Sequence, residues 1–268
     1  MPIREGKCEA QRYEGAEERM LQWGEAYIRS FCAALDAGDE TGSYGLPEVE
    51  LVRAAFAETV VRPGAARGPA GSVGMVIGSE RPWVECLALN AGAAEVWTFE
   101  YGRIVSGHPR LKAAPCKEIA ADFAARARPQ VDWIASFSSL EHSGLGRYGD
   151  PINPDGDKEA VQQAWCMLKP GGVFILGVPM TCEHSGWIQS NQHRFFGFAR
   201  LAFIAPDFEM VGFIDGCNPA RGAGSIVVLR KPITQTWRRL SAADFAAAAQ
   251  NSYISRLRIA IQYQTVLS

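Results

Sequence analysis

The sequence predicts an α/β fold built on a mostly parallel sheet, and three observations carry that expectation. Val131 to Phe137 and Val173 to Val178 are apolar runs of strand length, rich in β-branched and aromatic residues. A polar loop and a helical segment ending in LKPGG lie between them, so the two strands are joined by a crossover and run parallel. Further on, Phe208 to Ile214 and Ser225 to Leu229 read as an antiparallel hairpin at the sheet edge, joined by a loop containing Gly, Asn and Pro.

The other elements follow in chain order. Tyr13 to Leu35 has helical composition, with Met20, Leu21, Tyr27, Ile28 and Phe31 near helical spacing, and Gly38 and Gly42 end it. A short helix is expected from Pro47 to Thr59. This pair either covers a substrate as a lid or packs against one edge of the core, and packing is the preferred reading. Arg62 to Gly74 is a Gly/Pro/Ala-rich break and reads as a linker. Val73 to Ile77 is the first strand of the main domain, and Gly78 turns it. Pro82 suits the first turn of the next helix, which runs to about Asn90 with Gly92 as its C-cap. Glu95 to Phe99 is the second strand and ends in Glu100. A third strand falls near Ala113, then a helix from Lys117 to about Arg126. In the central unit Asp155 or Asp157 can cap a helix through Val161, Ala164, Trp165 and Leu168, which Gly171 and Gly172 turn into the next strand. Arg200 to Ile204 completes a helix, and Ser241 to about Tyr263 is an alanine-rich helical tail. The chain therefore divides into an N-terminal helical extension (1–70), a main domain (71–232) and a helical tail (233–268).

Composition narrows the function. A chain of 268 residues, 47% hydrophobic and 21% charged, suits one large α/β domain with additions. A net charge of -2 without a basic block excludes nucleic-acid binding driven by charge. No apolar run approaches the roughly 20 residues of a membrane span. The opening MPIREGKCEAQRYEG lacks the apolar core of a signal peptide. Seven scattered cysteines without a CxxC pair read as reduced thiols, so a cytoplasmic location is expected.

The first strand, its turn, the helix, the second strand and its terminal acid have a mechanical meaning. Such a turn presents backbone N–H groups to a polar ligand, and an acid about 20 residues on can accept both hydroxyls of a ribose. Only Gly78, followed by Ser79 and Glu80, stands where GxGxxG would stand. A pyrophosphate needs closer backbone approach than that. A nucleoside carrying an amino acid does not, which favours S-adenosylmethionine over NAD. The alternative is a bare Rossmann-like unit that binds nothing at Glu100.

GSERPWVECLALNAGAAEVWTFEY, SFSSLEHSGLGRYGDPINPDGD, LKPGGVFILGVP and NQHRFFG together resemble a domain family of unknown function first named from Caenorhabditis proteins. That family is distantly similar to the S-adenosylmethionine-dependent methyltransferases, and the resemblance covers roughly Val73 to Phe213. EHSGLGRYGDP is the specific string; LKPGG is common across methyltransferases. The resemblance implies a Rossmann-like class I methyltransferase fold and no settled activity. The chain departs from the ordinary methyltransferase pattern in lacking a glycine-rich first motif.

On this reading Gly78, Ser79 and Glu85 lie near the amino-acid end of the cofactor. Glu100 holds the ribose, and Ser136, Phe137 and Ser138 line the methyl donor. Glu141 and His142 follow a strand end, where either can serve as general base to an acceptor hydroxyl or merely brace the loop. Arg147 can clamp an anion or pair with Asp150 or Asp157, and pairing is preferred. Arg194, flanked by aromatic residues, is the better substrate anchor, with Tyr148 and His193 beside the acceptor; rings among polar groups suit a sugar or an aromatic acceptor. A metal alternative uses His142, His184 and Glu141, with no regular ligand spacing to support it. Three functions follow: a methyltransferase acting on a small-molecule hydroxyl, a sugar's among them; a metal-assisted enzyme on the same fold; and a binding module with a degenerate cofactor site.

Overall fold

The computed structural model describes residues 20–40, 42–59, 68–115, 118–119, 121–122, 125, 128–148, 150, 152–189, 192–214, 216–218, 224–233 and 239–250. Its centre is a seven-stranded sheet. The strands are β2 (Val73–Ile77), β3 (Glu95–Glu100), β5 (Leu111–Pro115), β6 (Val131–Phe137), β7 (Leu168–Val178), β10 (Glu209–Ile214) and β11 (Ser225–Arg230), in the order β10-β11-β7-β6-β2-β3-β5. β11 runs antiparallel to both neighbours and the remaining pairs are parallel. This is the Rossmann-like class I methyltransferase fold.

One face of the sheet carries α1 (Glu25–Ala37), α2 (Leu46–Thr59) and α3 (Trp83–Asn90); the other carries α4 (Gly156–Met167), α5 (Phe198–Ile204) and α6 (Ala242–Gln250). α1 forms because Ile28, Phe31, Cys32 and Leu35 repeat on one stripe, and it stops at Gly38 in the left-handed region. The helix expected from Tyr13 is corrected over residues 20–24, and residues 13–19 lie outside the described residues. Within the described part, Met20–Trp23 is a strand, β1, paired in parallel with β4 (Arg103–Ser106). The N-terminal helices pack across a face of the sheet and not at its edge, because their buried residues join the core of Trp133, Val76 and Val173. Residues 62–67 of the expected linker, much of the helix expected after Lys117, and the tail beyond 250 lie outside the described residues.

LKPGG belongs to β7 itself. The β6–β7 register jumps from Val131↔Leu168 to Trp133↔Val173, so these residues are a bulge on the strand. Asp155 holds the N-cap position of α4 without a side-chain cap bond. Asp157 is fully buried and binds Arg200. The reduced-thiol reading is corrected as well. Cys32 and Cys86 are disulfide-bonded between α1 and α3, and Cys182 and Cys217 are bonded between two loops, with Cα separations of 4.8 and 5.6 Å. Partners 54 and 35 residues apart are chosen by packing, which spacing does not reveal. The ground for a cytoplasmic location falls with that reading. Among the described residues no helix is long and apolar enough to cross a membrane.

The centre of the core is tightly keyed. Trp133 is fully buried, meets Phe56 edge-on at 4.7 Å and donates from Nε1 to Ser72 Oγ at 2.8 Å. Its indole occupies the space a Cβ on neighbouring Gly74 would need. Gly74→Ala is therefore expected to lower stability by about 1–3 kcal/mol, read as a lower urea midpoint at unchanged slope.

Candidate active site

The carboxyl ends of β2, β3 and β6 meet at one edge of the sheet, where an open α/β fold places its ligands. At the end of β2, Gly78 adopts φ +76, and the Ser139 side chain fills the place a Cβ would take. The Ser79 N–H donates to Glu100 Oε2 at 2.8 Å, and the Tyr101 N–H donates to Oε1 at 2.8 Å. Burial raises the Glu100 pKa, opposed by these amide bonds. An ionised carboxylate offers about four lone-pair sites, so Glu100 keeps capacity to accept from a ligand.

Glu85 sits one layer deeper. It is fully buried, accepts from Thr98 Oγ1 at 2.8 Å and Ser79 Oγ at 3.1 Å, and burial pushes its pKa to about 7. It braces the Ser79 turn and does not line the cleft, contrary to the expectation that it would face a cofactor.

At the end of β6, Ser136 is buried with its hydroxyl unpartnered among the described residues, away from the cleft. Ser138 takes φ +49, uncommon for a non-glycine residue. Its hydroxyl donates to Glu141 Oε1 at 2.7 Å. Glu141 is buried and its Oε2 has no partner among the described residues; burial pushes its pKa to about 7. His142 Nδ1 lies 2.6 Å from the Gln192 carbonyl oxygen. A carbonyl only accepts, so Nδ1 carries the hydrogen and the neutral ring presents its lone pair at Nε2, 3.7 Å from Glu141 Oε1. Burial lowers the His142 pKa and keeps the ring neutral near pH 7.

The loop after His142 is folded back on itself. Gly144, at φ +78, passes so close to the Asn153 carbonyl that no side chain fits. Its N–H donates to Asp150 Oδ2 at 2.6 Å. Arg194 closes the loop from the hairpin of β8 (Trp187–Gln189) and β9 (His193–Phe195). Its guanidinium donates to the carbonyls of Ser143 at 2.6 Å and of Asn153 and Pro154 at 3.3 Å, and Nε lies 3.7 Å from Asp157. With 3% of its surface exposed, Arg194 is a clamp on the loop and not the substrate anchor expected of it. Arg147 reaches the Gln192 carbonyl at 3.5 Å and lies over the Tyr148 ring, without the expected pairing to Asp150 or Asp157.

A cleft of about 300 Å³ opens at this edge. Of the expected residues, Gly78, Ser79, Glu100, Phe137, Ser138, His142 and Tyr148 line it; Glu85, Ser136, Glu141, Arg147, His193 and Arg194 do not. Tyr44, from the turn between α1 and α2, was missed. Its ring packs on Phe137 at 5.1 Å and it lines the cleft beside Trp83. An aromatic residue between two turn glycines, GSYG, was the available signal. Ser139, pressed against Gly78, stands between the cleft and a smaller cavity of about 40 Å³ reaching Phe99 and Gln163. The metal alternative fails on placement. His184 is on an exposed loop, and among the described residues no three His, Cys, Asp or Glu side chains converge.

Among the described residues the cleft lining contains Glu80, Glu100 and Asp150 but no Lys or Arg. Such walls disfavour a pyrophosphate and favour a neutral or cationic ligand. S-adenosylmethionine, with a sulfonium, an ammonium and a ribose, matches that donor set: Glu100 would hold the ribose, and the turn at Gly78 and Ser79 the amino-acid end.

Comparison with known proteins gives a family model, described as Caenorhabditis protein of unknown function, DUF268, that matches residues 71–222. No curated protein matches the chain. Among solved structures, the chain is similar to a 1,6-didemethyltoxoflavin-N1-methyltransferase from Burkholderia thailandensis with bound S-adenosylhomocysteine. The identity is 17%, the TM-score 0.49, and the match covers 76% of this chain and 87% of that one. It is similar to the N-methyltransferase NodS from Bradyrhizobium japonicum at 13% identity and a TM-score of 0.45, covering 70% and 95% of the two chains. It is also similar to the [4+2]-cyclase SpnF at 13% identity and a TM-score of 0.47, covering 81% and 98%.

Proposed function

The chain belongs to the family described as Caenorhabditis protein of unknown function, DUF268, and from the cleft of this member we propose that it is an S-adenosylmethionine-dependent methyltransferase acting on a small-molecule hydroxyl. The observation that carries the reading is the acidic cleft at the ends of β2, β3 and β6, without Lys or Arg among the described residues, with Glu100 on its wall and the His142 ring beside it.

When bound, the cofactor would supply a methyl group on a positively charged sulfur that leaves as a neutral thioether. The chain does the rest. His142 Nε2 takes the proton of the acceptor hydroxyl, a general-base contribution typically of about 10²–10⁴-fold. Nδ1–H stays on the Gln192 carbonyl throughout, which keeps the lone pair on Nε2. Glu141, 3.7 Å from Nε2, steadies the imidazolium that forms. Tyr44, Trp83 and Phe137 give the acceptor a flat apolar wall.

The test is calorimetric titration with S-adenosylhomocysteine. The wild-type protein is expected to bind it, and Glu100→Ala to weaken binding about 10–100-fold, the worth of hydrogen bonds to a charged group. One observation favours a second reading, a binding module closed to the cofactor: Ser139 fills the space beside Gly78. Absence of heat at about millimolar ligand with folded wild-type protein would select that reading.

A further inference from the structure

The rings next to His142 form a ladder that leaves the cleft. His193 lies 5.7 Å from His142, Phe195 lies 4.8 Å from His193, and Trp187 stacks on Phe195 at 4.0 Å with 15° between the planes. The β8–β9 register pairs Trp187 with Phe195 and Gln189 with His193, so all four side chains share one face of the hairpin. Arg194 and Ile188 belong to the other face. Trp187 keeps 49% of its surface exposed, and one face of its indole is covered by Phe195. A two-stranded hairpin gains from a cross-strand aromatic pair alone, but such a pair gives no reason for the ladder to continue to the catalytic ring.

We propose that this hairpin face is a saccharide-binding subsite, which makes the acceptor an oligosaccharide or glycoconjugate whose terminal sugar enters the cleft while a preceding ring stacks on Trp187. The inference deepens the methyltransferase reading and rests on it for what happens in the cleft. The chemistry selects a neutral sugar. A pyranose ring presents axial C–H groups to a flat indole, and its hydroxyls need donors and acceptors of the kind Gln189 carries. None of the four hairpin residues on that face is Lys or Arg, and Arg147 lies at its inner end, against the Gln192 carbonyl beside His193, so an anionic polymer or an acidic membrane surface finds no hairpin cation at Trp187.

The probe is an immobilised panel of neutral oligosaccharides. Full-length wild-type protein is expected to bind at least one of them, Trp187→Ala to weaken that binding about tenfold, and Trp187→Tyr, which keeps a flat ring, to retain most of it. Tyr148, at the cleft mouth, is left intact in every variant. Binding to no oligosaccharide by folded protein, or binding that Trp187→Ala leaves unchanged, overturns the proposal. Binding only to phosphatidylcholine vesicles also overturns it and assigns the exposed apolar tip to a bilayer. Each variant is titrated with S-adenosylhomocysteine in parallel. In wild-type protein, saccharide binding without cofactor binding would sink the methyl-transfer reading alone, and cofactor binding without saccharide binding would sink the subsite alone.

Discussion

Asp157→Ala is expected to lower stability by about 3–5 kcal/mol, the cost of breaking a buried ion pair and stranding its partner. Asp157 has no exposed surface. It accepts from Arg200 Nη2 at 2.6 Å and Arg200 Nε at 3.0 Å, and the Arg194 Nε lies 3.7 Å away. Arg194 cannot turn to water, because its other nitrogens are engaged with the carbonyls that shape the loop from Glu141 to Pro154. The loss therefore falls on the site as well as on the fold. Urea unfolding followed by fluorescence should show a lower midpoint at unchanged slope. The His142 Nδ1 proton, visible by NMR in wild type through its bond to the Gln192 carbonyl, should exchange faster in the variant. A variant as stable as wild type would mean that the charges reach water.

The second large effect is on the pH dependence of stability. Burial pushes Glu85 and Glu141 from 4.5 to about 7 in the folded chain. Between those values the folded state holds protons that the unfolded state releases. Stability from these two groups is therefore fully present below about pH 4.5 and is lost as pH rises towards 7. The slope is at most about 1.4 kcal/mol per pH unit for each carboxyl, so about 3 kcal/mol each across the window. His108, His142 and His193 act with the opposite sign, since burial lowers their pKa values and their contribution is lost as pH falls below about 6.5. Comparison with Glu85→Gln and Glu141→Gln cancels the histidines. In thermal melts from pH 5 to pH 8 the stability of wild type relative to each variant is expected to fall as pH rises towards 7, and to fall most relative to the double variant. Identical profiles would mean that both carboxyls are ionised in the folded protein.

The disposition of the site follows from the same physics. Glu141 is buried with one oxygen unpartnered among the described residues, one step behind Ser138 and His142. A buried polar atom left in that state costs stability, and this one lies directly behind two residues that line the cleft. The Ser138 backbone, at φ +49, is a second local cost at the same place.

Much of the scaffold was legible in the chain. The apolar runs of β2, β6 and β7, the turn glycines Gly78 and Gly92, and the final antiparallel pair read correctly because strand periodicity and positive-φ turns depend on neighbours in sequence. Glu100 at the end of β3 was legible for that reason too. Two three-residue strands, β8 and β9, fall below the length at which alternation can be recognised. β1 and β4 are each four residues long and pair across intervening helices and strands, so neither is recognisable without the other. Met20 and Leu21 therefore read as the start of a helix.

What the sequence determined by itself is the order of elements, the parallel crossover and the strand end from which the polar loop departs, because these are consequences of local hydrophobic pattern and turn chemistry. Only the tertiary structure decided which polar side chains face the cleft. Arg194 and Glu85 carry the same charges as any surface Arg or Glu, and the string around them does not say that one clamps a loop and the other lies beneath Ser79. The physical reason is that a side chain's solvent and partners are set by strand register and by the paths of segments distant in sequence, such as Gln192 on His142 and Cys86 on Cys32.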